Sequence, residues 1–314
     1  MTRLRWITGE RLTPLHAAKC FALGIRGVDE SISHAIAQPM NELNSRLAAV
    51  DIDLDVFWLR LISTVASGES DFEACSSSLI SAGCSPLSVD VTASAIASHL
   101  AELRLSHNER CPKLADQLAL RGRPLREQWD GYGAGLIKRV AKLTHASFLP
   151  KSVTAMLLSP YRGGDGGFDP SSARIWIEAV LTNPLSDLPE VLRVLWLVAQ
   201  VGMIDALTTG SEDTNGDPWV APTRLPRVAS LATMALALEA GSYLELIPVT
   251  SDQLPTHFRK AAGAWRIPLD ENSFAVMENW WKQFQDLQTT PPVTLKALDR
   301  MLHPTPTANH GNAW

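Results

Sequence analysis

Between Arg174 and Gln200 a few polar side chains stand at spacings that could do chemistry in otherwise apolar surroundings. Arg174, Trp176 and Glu178 alternate with Ile175, Ile177 and Ala179, so a strand would carry the first three on one face and the others on the opposite face. Further on, Glu190, Arg193 and Gln200 interrupt a run of Val, Leu, Trp and Ala, and their spacing gathers them into one stripe of a helix. The plain expectation for that stripe is a solvent-facing edge with an i,i+3 ion pair, worth ~0.2–0.5 kcal/mol. The alternative is a polar line facing a cleft beside Arg174 or Glu178. Buried there, the charges would need partners, because an unpaired buried charge costs several kcal/mol.

The elements that must position these residues follow from pattern and punctuation. Thr182-Asn183-Pro184 ends the 174–181 strand, since proline has no N–H for a ladder. Asp187 suits an N-cap, with Glu190 three residues on as in a capping box and Pro189 in the first turn. The helix that follows, 188–201, is apolar on nearly all sides and belongs at the centre of a domain; about 14 residues is short of the roughly 20 that cross a bilayer. Lys151–Tyr161 reads as a strand and Arg162–Pro170 as a flexible glycine-rich loop. A hairpin or small sheet with the 174–181 strand follows.

Upstream, residues 1–27 read as irregular. Asp29 caps a helix to Gln38, and Pro39 opens a second one through Val50. Leu54, Phe57, Trp58, Leu61, Ile62 and Val65 form the cleanest amphipathic stripe, and further helices start near Ser70 and near Ser88 or Asp90. Pro124 suits a first turn, and Gly131, Gly133 and Gly135 predict a break, each weakening a helix by ~1 kcal/mol relative to alanine. Downstream, 208–226 is a long loop, and helices follow near 227–240, 252–264, 271–288 and 294–302. The fold class is α+β, predominantly α-helical: a helical array with a small β element near residues 152–181. The division is a helical N-terminal region 1–122 packed on a mixed region 123–303, with a loose tail 304–314.

Other motifs fall short of complete sites. The eight histidines include no His-x-x-x-His pair, and His107 with Cys111 supplies only two of the four ligands of a tetrahedral site. Gly163-Gly164-Asp165-Gly166-Gly167 lacks the Gly-Lys-Ser/Thr of a P-loop, and Gly131-x-Gly133-x-Gly135 misses the dinucleotide fingerprint. Ser211–Asp217 resembles an EF-hand loop at Asp213, Asn215 and Gly216, but Pro222 stands where the bidentate glutamate belongs. No Gly-x-Ser-x-Gly elbow is present. No metal and no cofactor is expected.

The strand followed by a helix invites one comparison. The window Pro189-Glu190-Val191-Leu192-Arg193 resembles, in outline, the His-Glu-x-x-His helix of zincin peptidases. The glutamate position is kept and both histidine positions are lost to residues that do not bind zinc. That outline implies a metal-free, inactive relative.

Composition bounds the rest. With 46% hydrophobic and 19% charged residues, the 314-residue chain can bury a core and is not of disordered type. A formal net charge of −5 argues against nucleic-acid binding through a basic field. Four sparse cysteines, Cys20, Cys75, Cys84 and Cys111, read as reduced and mostly buried. No signal sequence and no membrane span is evident, so a cytoplasmic location is expected. Trp280 and Trp281 are adjacent on a helix and point about 100° apart, so one could face a partner. The expected function is a non-catalytic interaction or scaffold module with a protein partner or self-association. The alternative is an enzyme or degenerate enzyme whose cleft gathers Glu178, Glu190 and Arg193, with Arg174 as a binding residue.

Overall fold

A computed structural model describes residues 2–25, 27–209, 218–250, 253–287 and 290–304. Its centre is a small mixed sheet of β1 (Arg3–Thr8), β2 (Ser152–Leu158), β3 (Gly166–Asp169) and β4 (Arg174–Glu178), in the order β1-β2-β4-β3. β1 runs parallel to β2 and β2 parallel to β4, while β3 closes the edge antiparallel to β4. The α+β class holds, and the sheet is larger than expected at both ends. β1 lies in the segment read as irregular, and β3 is built from the glycine-rich stretch read as a loop.

One face of the sheet is covered by α1 (Leu12–Ala22), α2 (Glu30–Ala48), α3 (Leu54–Ser67), α4 (Asp71–Ser81) and α5 (Val89–Arg110). Leu158, Tyr161 and Trp176 join the core of these helices. After α6 (Leu114–Arg121), the other face receives α7 (Arg123–Leu143), α8 (Glu190–Thr209), α9 (Leu225–Tyr243), α10 (Pro255–Trp265), α11 (Glu271–Leu287) and α12 (Pro291–Leu302). Val153, Ala155, Leu157, Ile175 and Ile177 belong to that second core. The alternation read along 174–178 is therefore real: Trp176 and Glu178 face α1, Ile175 and Ile177 face α8.

Two expected helix breaks do not occur. α2 runs through Pro39, which is buried. A mid-helix proline costs about 3 kcal/mol, and here the buried stripe of Ile32, Ile36, Met40, Leu43 and Leu47 holds the helix together. α7 likewise runs through its three glycines. A side chain at Gly135 would press on Leu244, and one at Gly133 would strike the Trp129 ring, so tertiary packing overrides helix propensity.

α8 is longer than expected, at 20 residues. By length and composition it could span a bilayer, but 78% of its apolar window is buried inside the fold. It is the core helix that its all-round apolarity implies. Its start also differs. The Asn183 side chain, not Asp187, accepts from the Glu190 N–H at 3.0 Å, and Asp187 pairs with Lys260 instead.

Candidate functional site

The carboxyl ends of β1, β2 and β4 converge on one buried group, Glu178. It is the last residue of β4, and it is fully buried. Three N–H donors meet its carboxylate. His16 Nε2 lies 2.7 Å from Oε1, the Arg162 backbone N–H donates to the same oxygen at 2.7 Å, and the Gly164 N–H donates to Oε2 at 2.6 Å. Both carboxylate oxygens already accept from a backbone N–H, so the His16 contact places a proton on Nε2.

Each partner is placed by its element. His16 sits one turn into α1, the helix that follows β1, and is buried. Arg162 and Gly164 lie in the connection after β2. Gly164 has φ +111°, a conformation that side-chain-bearing residues rarely adopt, and a Cβ there would come within 3.0 Å of Arg193 Nη2. The glycine is thus required twice, for its backbone and for the narrow gap between Glu178 and Arg193.

Around this centre lie Arg162, Asp165, Lys19 and Cys20. Arg162 Nη1 donates to Asp165 Oδ2 at 2.9 Å. Burial pushes the Asp165 carboxyl up, but a protonated His16, the charges of Arg162 and Lys19 and the Gly166 N–H outweigh it, so beside an imidazolium at position 16 the group is held below its ordinary value. Burial, reinforced by Glu178, pushes the Cys20 thiol up to about 12, so it stays a protonated thiol with no nucleophilic character at neutral pH. His16, Lys19, Asp165 and Trp176 line a cavity of about 40 Å³, whose wall on α3 includes the exposed Leu59. A space of that size holds water or one end of a ligand, not a drug-sized molecule.

Behind His16 the Tyr161 ring stacks at 5.9 Å, and its hydroxyl shares a 2.8 Å hydrogen bond with His107 Nε2. His107 Nδ1 is buried with no hydrogen-bond partner among the described residues.

Glu190 and Arg193 are not on a solvent edge. Both are buried, as is Gln200, so the exposed-edge expectation is corrected. Arg193 Nη2 donates to Glu190 Oε1 at 3.1 Å and to the Ala264 carbonyl at 2.9 Å. Burial pushes the Glu190 carboxyl up and the Arg193 guanidinium down, each against the pull of the other, and both feel the Glu178 charge. The Glu178, Glu190 and Arg193 expected to converge are therefore neighbours, with Gly164 threaded between Glu178 and Arg193. Glu190 and Arg193 are engaged with each other, and the cavity is on the His16 side.

The other sequence candidates have structural duties. Arg174 donates to the Ala66 carbonyl and ties β4 to the end of α3. Trp280 and Trp281 are both buried, with Trp280 Nε1 donating to the Thr294 carbonyl at 3.0 Å. The zincin-like window holds no imidazole, and the Arg193 guanidinium fills the place of the second histidine. Cys20, Cys75 and Cys84 are buried free thiols and Cys111 is partly exposed. Among the described residues Glu42, His99 and Glu102 come close together on the outside of α2 and α5, where His99 Nδ1 lies 3.3 Å from Glu42 and 3.4 Å from Glu102. The EF-hand-like stretch 211–217 and residues 305–314 of the tail lie outside the described residues.

Sequence reasoning missed His16, Asp165 and Arg162. His16 carried no motif, because its partner is 162 residues away. The signal that was present is the pairing of a charged residue at a strand end with a Gly-rich connection, which supplies backbone N–H groups to a carboxylate.

Comparison with family models, with curated proteins and with solved structures gives no significant match, so function rests on this geometry alone.

Proposed function

We propose that this protein transfers a proton to or from a small polar substrate at the carboxyl ends of β1, β2 and β4. His16 is the base and Glu178 the group that orients it. The observation that carries the reading is the 2.7 Å contact between a buried imidazole and a buried carboxylate, with the imidazole lining a cavity. With Nε2–H held by Glu178, Nδ1 accepts a proton from a substrate O–H or N–H or from water, and the carboxylate steadies the imidazolium that forms. Lys19 on the half-buried rim would attract an anionic substrate, and Asp165, ionised, balances the centre. In open α/β sheets ligands bind outside the carboxyl ends of the parallel strands; this supports the location by analogy only. The interaction-module reading rested on the lack of a complete catalytic constellation and on the tryptophan-rich C-terminal helix; Trp280 and Trp281 are both in the core, which removes the second support.

The test is thermal unfolding of the full chain with small carboxylates, phosphate esters, amines and nucleotides, for wild type, His16→Asn and Lys19→Ala. A true ligand at 100 times its Kd stabilises the wild type by about 2.7 kcal/mol. The shift should vanish in His16→Asn and shrink in Lys19→Ala, whose rim position leaves folding intact. No shift with any class, or equal shifts in all three proteins, would defeat the proposal.

A further inference from the structure

We propose that the outer face of the α4–α5 hairpin docks a cationic amphipathic helix, one whose apolar ridge is flanked by lysine or arginine. The face shares no residue with the His16–Glu178 centre. The Arg104–Asp71 ion pair joins the start of α4 to the later part of α5, so the two helices run antiparallel. α4 buries Ala74, Cys75 and Leu79, and α5 buries Ala93, Ile96 and Leu100, all in one core. The opposite sides of the two helices therefore form one outer surface.

That surface is apolar where a solvated helix pair would be polar. Phe72 and Ile80 are exposed on α4, Val91 on the first turn of α5 and Leu87 in the connection between them. Leu87 is 98% exposed and Val91 78%. A lone exposed aliphatic side chain is ordinary, but Ile80, Leu87 and Val91 share one end of one helix pair, and apolar patches mark docking surfaces. Phe72 and Ile80 lie about 12 Å apart along α4. Between them the surface side chains are small, with Ser77 on α4 and Ser98 on α5. Both hydroxyls donate to carbonyls of their own helices, at 3.4 and 3.0 Å, so a partner can cover them without stripping a hydrogen bond. A strip of small residues with larger apolar anchors about two turns apart matches the i and i+7 side chains of a docked helix.

The charge of the occupant follows from the rim. Arg60 is the only lysine or arginine between Leu47 and Leu103, against eight acids. Glu73 and Asp90 are exposed on the hairpin itself. The turn before α3 brings Asp51, Asp53 and Asp55 to the Ile80 end, because the Asp53 N–H donates to the Ala82 carbonyl at 3.0 Å. Asp53 caps α3 through the Val56 N–H. Asp51 and Asp55 are exposed and make no ion pair among the described residues. At the Phe72 end, Arg11 and Arg104 both close on Asp71. A second copy of this chain would bring two acidic rims together, and nucleic acid or an anionic membrane would be repelled. A cationic amphipathic helix meets both the apolar strip and its rim.

The experiment titrates the full chain, at about 0.15 M salt, into a fluorescein-labelled peptide of leucine and lysine whose leucines share one helical face, read by anisotropy. A scrambled peptide of the same composition and a leucine–glutamate version are the comparisons. The proposal expects saturable one-to-one binding, at least about tenfold tighter than the scrambled peptide, and no binding of the acidic one. Leu87→Ser with Val91→Ser should weaken binding about tenfold at unchanged charge. Asp51→Asn with Asp55→Asn should weaken it too and flatten its salt dependence. All four side chains are exposed, so both double variants should melt close to the wild type. Lys19→Ala should bind undiminished, which keeps this result separable from the first site. Equal binding of the scrambled peptide, or undiminished binding by either double variant, would overturn the proposal and leave only attraction to the net charge of −5. A wild type that sediments as a dimer, beside a monomeric Leu87→Ser, Val91→Ser variant, would overturn it as well, because the face would then join two copies of the chain.

Discussion

The Glu190–Arg193 pair shows how burial changes the value of a charge. On a helix surface such a pair contributes a few tenths of a kcal/mol. Here the guanidinium is among the largest fully buried side chains, and it also holds the Ala264 carbonyl and borders Gly164. Removing one partner strands the other charge in a dry interior. Arg193→Met should therefore cost about 3–5 kcal/mol, whereas Arg193→Met with Glu190→Leu should recover most of that loss. Urea unfolding of the two singles and the double reads the coupling directly; a single-variant cost below about 1 kcal/mol would show that the pair is solvated after all. His107 gives a second prediction at this scale. Burial holds its imidazole down to about 4, against about 6.5 in an unfolded chain. Between those values the unfolded chain binds a proton that the folded chain refuses, so stability falls as pH drops through the window and levels off below it. The loss is on the order of 3 kcal/mol. His107→Gln should flatten that slope when urea midpoints are compared at pH 7.5, 5.5 and 4.5, and parallel slopes in wild type and variant would refute the assignment.

At the scale of elements, legibility in the sequence tracked how local the determining physics is. The stripe Leu54–Val65, the serine cap of α4 and the alternation along 174–178 depend on neighbours within a few residues, and each stands in the structure as read. Pro39 and the α7 glycines mislead because their local penalty is outweighed by packing against segments far away in the chain. β1 was missed although Leu4 and Trp6 alternate with Arg3 and Arg5. A six-residue edge strand gives a weak period-2 signal, and what makes it a strand is β2, about 150 positions later. The candidate site divides the same way. Glu178, Glu190 and Arg193 were legible because charges inside apolar runs stand out. His16, Arg162 and Asp165 were not, because their roles exist only once α1, the glycine connection and the end of β4 meet. The Asp187 cap was misassigned for a related reason: Lys260 on α10 claims that carboxylate, leaving Asn183 to satisfy the helix end.

At the scale of the molecule, the sheet is a wall shared by two cores. The helices of residues 1–122 bury their apolar faces against one another and against Leu158, Tyr161 and Trp176, side chains contributed from beyond residue 150. In the reverse direction β1 supplies the outer edge of the sheet, in register with β2 from Arg3↔Ser152 to Thr8↔Leu157. Each half therefore owes the other a surface: the first half alone lacks a floor, and the second alone exposes the unpaired N–H and C=O groups of β2. Hydrophobic burial divided across such a wall couples the two cores, so the intact chain should unfold in one transition, with tryptophan fluorescence and far-ultraviolet circular dichroism coinciding in urea. Fragment 1–122, made alone, should show helical dichroism without a cooperative transition, and mixing it with fragment 123–304 should restore one by re-forming the β1–β2 ladder. A fragment 1–122 that unfolds cooperatively at the midpoint of the intact chain would show the reverse, that the N-terminal helices are a self-sufficient domain and the shared sheet a mere contact surface.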